Sequence, residues 1–175
     1  MWKKIYGNQP HPNIANLLNN LGNSYDKQGK YPQAIPYYEQ ALAMQKEIYP
    51  NQAHPDTANF LCNLGGSCHK QGEYTQAINN YKQALAIRKE AYPNQPQPGI
   101  ANILHYLGNS YGKQGEYIQS ITHHLKAFAI RHDKVWPLSK MVILAIILSF
   151  LLKQLKAVEF PSLYSLGKGL GLPGT

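Results

Sequence analysis

Apolar and small residues near the start of the chain recur at three- and four-residue steps. Ala15, Leu18, Leu21, Gly22 and Tyr25 therefore share one face of a helix. That face is the expected packing face. His11-Pro12-Asn13 marks the start of the helix, because proline suits its first turn and Asn13, like Asp56 after His54-Pro55, is expected to accept hydrogen bonds from orphan amides. Gly29 marks the end, where a left-handed backbone is easiest. A second stretch runs from about Pro32 to Ile48 with Ala34, Ile35, Tyr38, Ala41 and Leu42 on its inner face. Pro36 lies one turn in and removes a backbone hydrogen bond, which predicts a mild bend.

The same two-helix pattern returns twice. Lys-Gln-Gly stands at residues 27–29, 70–72 and 113–115, a spacing of 43 residues, and the units open on Tyr6-Gly-Asn-Gln-Pro-His-Pro, Tyr49-Pro-Asn-Gln-Ala-His-Pro and Tyr92-Pro-Asn-Gln-Pro-Gln-Pro. A period of this length means stacked supersecondary units, which bury apolar surface between neighbours and grow along one axis. The length of 175 residues therefore does not limit the core. Gly22, Gly65 and Gly108 recur inside the first helix of each unit, where a glycine costs roughly 1 kcal/mol against alanine. Their recurrence predicts close helix approach, with Ala34 and Ala77, and Ala41, Ala84 and Ala127, opposite.

These residues resemble the tetratricopeptide repeat, in the longer variety found in kinesin light chains and many bacterial interaction proteins. The first unit carries Leu18, Leu21, Gly22, Tyr25, Ala34, Tyr38 and Ala41 at the signature positions. The second carries Leu61, Leu64, Gly65, Cys68, Ala77, Tyr81 and Ala84, and the third Leu104, Leu107, Gly108, Tyr111, Ser120, His124 and Ala127. Cys68, Ser120 and His124 depart from the usual tyrosine, alanine and aromatic residues, so the third unit is expected to be the least well packed. The fold class this implies is all-α: a solenoid of three helix-turn-helix repeats, 6–48, 49–91 and 92–134, plus a C-terminal apolar helix.

Outside the units, residues 1–12 align with Met44-Gln-Lys-Glu-Ile-Tyr-Pro-Asn-Gln-Ala-His-Pro and read as the tail of a preceding helix and its linker. After Ile130-Arg-His-Asp-Lys-Val-Trp-Pro, which imitates Ile87-Arg-Lys-Glu-Ala-Tyr-Pro with one extra residue, no fourth unit is evident. Both a piece of a longer array and a complete three-repeat protein fit these ends. The apolar run Met141 to Leu152 is the core of an expected helix over 138–156; it is apolar all round and needs burial, yet falls short of the roughly 20 residues of a membrane span. A cap on the last repeat or a self-association surface, a membrane-associated tail and an unstructured junction all remain open. Residues 157–175 are Gly-rich and expected to be disordered.

The formal net charge of +8 comes from fifteen Lys and two Arg, spread without a run of five. This reads as solubility or as attraction to an acidic partner; nucleic acid is not expected, since neither Arg clusters nor aromatics interleaved with a basic stripe occur. Cys62 and Cys68 lie six residues apart on one predicted helix and point away from each other, so they suit a reduced, cytoplasmic setting. Met1-Trp-Lys-Lys-Ile leads into turn residues, not the apolar run of a signal peptide. No metal-ligand spacing joins the seven histidines, and no phosphate-cradling glycine loop opens a helix. The reading is a non-enzymatic protein without metal or cofactor.

The first-helix positions left over from packing form a second stripe. Its candidate binding residues are Asn16, Asn19, Asn20, Asn23 and Lys27, then Asn59, Asn63 and Lys70, then Asn102, Tyr106, Asn109 and Lys113. Asparagine offers both a donor and an acceptor, so a ladder of them can pair with the backbone of an extended peptide without reading its sequence. The three lysines would favour acidic side chains or a terminal carboxylate. The family resemblance implies that this stripe faces a concave groove and that Asn20, Asn23, Asn63 and Asn109 sit at its clamp positions. The expected function is a scaffold for protein or peptide partners. The rival readings are a regulatory fragment of a larger signalling or enzyme protein, and an adaptor tethered to a membrane through Met141 to Leu152.

Overall fold

The computed structural model describes residues 9–50, 52–93 and 98–132, and within them there are helices and no strand. The helices are α1 Pro12–Lys27, α2 Tyr31–Ile48, α3 Pro55–Gln71, α4 Tyr74–Ala91, α5 Pro98–Lys113 and α6 Tyr117–Arg131. They pair as α1 with α2, α3 with α4 and α5 with α6; α2 then packs on α3 and α4 on α5. The first helices of the pairs also meet in sequence, α1 with α3 and α3 with α5. This is an all-α solenoid of three helix-turn-helix units.

One turn is used three times. Gly29, Gly72 and Gly115 sit just past the first helix of each pair with φ of +74°, +88° and +82°. The next residue's amide, from Lys30, Glu73 or Glu116, returns to the carbonyl of Tyr25, Cys68 or Tyr111 at 2.9–3.0 Å, the closure that a left-handed residue permits. Each unit thus leaves its first helix at the same angle.

The helix starts differ from expectation. The side chain that caps α1 is not Asn13 but His11, whose Nδ1 accepts from the Asn13 amide at 3.1 Å; His54 Nδ1 does the same for Asp56 at 3.2 Å before α3. The reason is register: the helix begins at the proline, so the extended residue before it owns the capping position. Helix α2 continues through Pro36 to Ile48.

The core is a chain of small residues and rings. Ala15, Ala34 and Ala41, with their counterparts Ala58, Ala77 and Ala84, are fully covered around Tyr38 and Tyr81. The glycines do allow close approach, but the partner is not an alanine. A Cβ at Gly22 would meet the Tyr38 ring, one at Gly65 the Tyr81 ring and one at Gly108 the His124 ring, all at 2.6–2.9 Å.

Leu21, expected on the packing face, is 40% exposed, and Leu17 is 50% exposed. Their counterparts Phe60 and Leu64 in α3, and Ile103 and Leu107 in α5, are buried because the preceding unit's second helix lies against them. In the third pair, α6 buries only Ala127 and Ala129, whereas α2 and α4 also bury their aromatic. Cys62 and Cys68 are both free thiols. The expected helix over 138–156 and the Gly-rich tail lie outside the described residues, as do residues 1–8.

Candidate functional site

The asparagine and lysine stripe runs along the side where α1, α3 and α5 meet. Asn16, Asn20, Lys27, Asn59, Lys70, Asn102, Tyr106, Asn109 and Lys113 are exposed there, Asn23 and Asn63 are half-buried and Asn19 is nearly buried. Many of these side chains already hold one another or the scaffold.

Between the first two units, Asn63 Nδ2 donates to Asn19 Oδ1 at 2.9 Å. One turn further, the Asp26 carboxylate takes the hydroxyl of the fully buried Ser67 at 2.7 Å on one oxygen and the Lys70 ammonium on the other. Asn23 accepts from the Tyr38 hydroxyl at 2.9 Å. Burial, with Asp26 adding to it, pushes the Tyr38 phenol up to about 12, so it remains a donor at neutral pH.

The joint between the second and third units repeats this geometry with different chemistry. His69 stands at the position of Asp26, and its Nδ1 lies 2.9 Å from the Ser110 hydroxyl. Burial, Lys113 and Lys70 together hold the imidazole below its ordinary range, which keeps it neutral. Among the described residues, Lys113 consequently has no carboxylate of the kind that Asp26 provides for Lys70. His105 lies 3.2 Å from Asn109 and edge-on to His124, while Tyr106 stacks on Tyr81 with ring centres 5.5 Å apart.

Two further residues were missed in the sequence. Arg88 donates to Asn59 Oδ1 at 2.6 Å and Arg131 to Asn102 at 3.0 Å, each from the second helix of the same unit. The signal was present, since both pairs are separated by 29 residues. The first unit breaks the rule: Gln45 occupies the arginine position and turns instead to His54, 3.3 Å away. Among the described residues, Asn16 and Asn20 are thus the asparagines of the stripe whose side-chain amides make no hydrogen bond.

The thiols offer little reactivity. Burial raises Cys62 to about 12 against an opposing pull from Arg88, and raises Cys68 to about 11. Both are protonated at neutral pH, whereas the thiolate is the nucleophile. Among the described residues no cluster of three or more His, Cys, Asp or Glu could hold a metal ion, and no helix is long and apolar enough to cross a membrane.

Comparison with known proteins follows the same lines as the geometry. A tetratricopeptide repeat model matches residues 1–47 and 13–90, and a second of the same description matches residues 100–133. Among solved structures, BtubC (BKLC) from P. vanneervenii superposes with a TM-score of 0.68 at 22% identity, covering 75% of this chain and 52% of that one. The N-terminal domain of stress-induced protein-1 (STI-1) from C. elegans gives 0.57 at 16% identity, covering 78% of this chain and 95% of the domain. The TPR2AB domain of yeast Sti1, in a complex with pHSP90, gives 0.55 at 22% identity, covering 85% and 50%. The chain thus spans about half the length of the BtubC and yeast Sti1 chains. No curated protein sequence matches it.

Proposed function

We propose, from the premise that this chain belongs to the tetratricopeptide repeat family, that it is an interaction scaffold which holds an extended peptide segment along the face of α1, α3 and α5. The observation that carries the reading is a division of labour along the stripe. Asn19, Asn23, Asn59, Asn63, Asn102 and Lys70 are spent on internal hydrogen bonds. Asn16 and Asn20 near one end, and Lys27 and Lys113, stay exposed and have no such bond among the described residues. The internal bonds hold the stripe rigid, and the remaining amides and ammonium groups suit a peptide backbone and acidic side chains.

Helices pack roughly 8–10 Å apart, so three pairs would offer a groove of about 30 Å. At about 3.3 Å per extended residue, that accommodates some six to nine residues. The formal charge of +8 suits an acidic ligand.

The test uses random twelve-residue peptides displayed on phage and selected on the purified chain. Enriched peptides should be rich in Asp and Glu, and should weaken by about tenfold or more between low and physiological salt. Asn20→Ala and Lys113→Ala should weaken them further without changing the melting temperature. Enrichment of basic or wholly apolar peptides, or binding untouched by both substitutions, would remove the groove reading.

A further inference from the structure

The joint between the first two units carries a cleft that the stripe does not use. It lies between the end of α2, the linker that follows and the end of α4, and has a volume of about 290 Å³. Its lining includes Gln45, Lys46, Tyr49, Pro50, Ile87 and Glu90. That volume is at the low end of ligand pockets, so the cleft suits a small molecule.

One lining residue holds an acceptor without a donor. Gln45 is 2% exposed and stands where α4 has Arg88. His54 Nδ1 accepts from the Asp56 amide at 3.2 Å, so this nitrogen carries no proton. It can therefore face only the NH2 of Gln45, whose Nε2 is 3.3 Å away. Oε1 is turned elsewhere and is buried with no hydrogen-bond partner, a state that native proteins rarely leave uncompensated. Two opposite charges stand at the same cleft. Lys46 and Glu90 are exposed, and among the described residues neither makes an ion pair. Tyr49, whose ring stacks on His54 at 4.3 Å, joins Pro50 and Ile87 as the apolar part of the lining.

We infer that this cleft binds a free α-amino acid with an apolar side chain. Its carboxylate meets Lys46, its ammonium supplies the donors that Glu90 and Gln45 Oε1 lack, and its side chain lies against Tyr49, Pro50 and Ile87. The occupant carries both charges for an electrostatic reason. A simple anion would leave Glu90 and Oε1 unmet, and a simple cation would be repelled by Lys46. A ligand in this place touches α2, the linker and α4 together, and so braces the joint between the first two units.

Titration of the full chain with L-leucine, followed by backbone amide NMR shifts, tests the site. The shifts should centre on Gln45, Tyr49 and Ile87 and saturate with a dissociation constant on the order of a millimolar or less. Three analogues each lack one feature: isocaproate the ammonium, isopentylamine the carboxylate and glycine the side chain. Each should bind about tenfold more weakly than leucine, or worse. Glu90→Gln and Lys46→Gln alter exposed residues, and each should weaken leucine by about threefold or more with the melting temperature unchanged. Leucine that fails to saturate at tens of millimolar, or that binds no better than its three analogues, would overturn the assignment. So would shifts confined to α1, α3 and α5, or an affinity that both substitutions leave untouched.

Discussion

The Tyr38 ring fills the space that a side chain on Gly22 would need: a Cβ there would lie 2.6 Å from Cε1 and 2.8 Å from Cδ1. The glycine is thus a seat for the ring, and the close approach of α1 and α2 depends on it. The same seat recurs for Tyr81 at Gly65 and for His124 at Gly108.

Adjacent glycines in α3 separate this effect from helix propensity. A Cβ at Gly65 would lie 2.9 Å from the Tyr81 ring, whereas at Gly66 the nearest atom is the Tyr81 hydroxyl at 3.8 Å, an ordinary contact. Gly65→Ala should destabilise by about 1–3 kcal/mol through overpacking. Gly66→Ala should stabilise by up to about 1 kcal/mol, the helix preference of alanine. Urea denaturation of both variants checks the opposite signs.

The Asp26 carboxylate ties the first two units together, and removing it orphans the fully buried Ser67 hydroxyl. Asp26→Ala should cost about 1–3 kcal/mol. In a double-mutant cycle with Ser67→Ala, the double variant should lose less than the sum of the singles, by about 1 kcal/mol. Additive losses would mean the bond contributes nothing.

Acid should act on the third unit and on its joint with the second. Burial first, then Lys126, Lys82, His124 and Lys89, lower His123 to about 4, and His69 and His124 are lowered too, mainly by burial. The unfolded chain, with histidines near 6.5, therefore binds more protons than the folded one between that value and about 4. Stability from these groups is full above the unfolded value and is lost as pH falls through this window. Stability measured by urea titration from pH 7.5 to 4 should fall. His123→Phe, which keeps the stack on Tyr111 seen at 5.3 Å, should flatten the profile.

Neighbouring asparagines of the stripe should respond differently to truncation. Asn63→Ala removes the donor to the nearly buried Asn19 and should cost about 1 kcal/mol or more. Asn20→Ala breaks no internal side-chain bond and should stay within about 0.5 kcal/mol. Thermal melts of the two variants, run beside peptide binding, separate the scaffold's needs from the ligand's.

The helix pairs, their glycine ends and the small-residue core were legible in the chain because they repeat at a fixed period and each rests on local geometry. The close approach at Gly22 was legible too, but its partner was not. Tyr38 reaches it from the next helix, and helical periodicity within α1 says nothing of the rotation of α2. The capping role of His11 was hidden because asparagine is the commoner acceptor and the register of the helix start had to be known. In the stripe, the exposed face could be read, but not which asparagines are engaged. Asn63 finds Asn19 across a unit boundary, and Asn59 finds Arg88 across a helix pair, distances that depend on the stacking itself.

The exchange of Asp26 for His69 at equivalent places gives the two joints of the array contacts that answer to different media. Concentrated salt screens the contact between the Asp26 carboxylate and the half-exposed Lys70, and leaves a neutral imidazole beside Ser110 untouched. Acid strong enough to overcome the lowering by burial, Lys113 and Lys70 charges that imidazole beside two ammonium groups. Brine should thus weaken the seam after α2 first, while protonation of His69 weakens the seam after α4. A force or hydrogen-exchange trace taken in each medium would read the order directly.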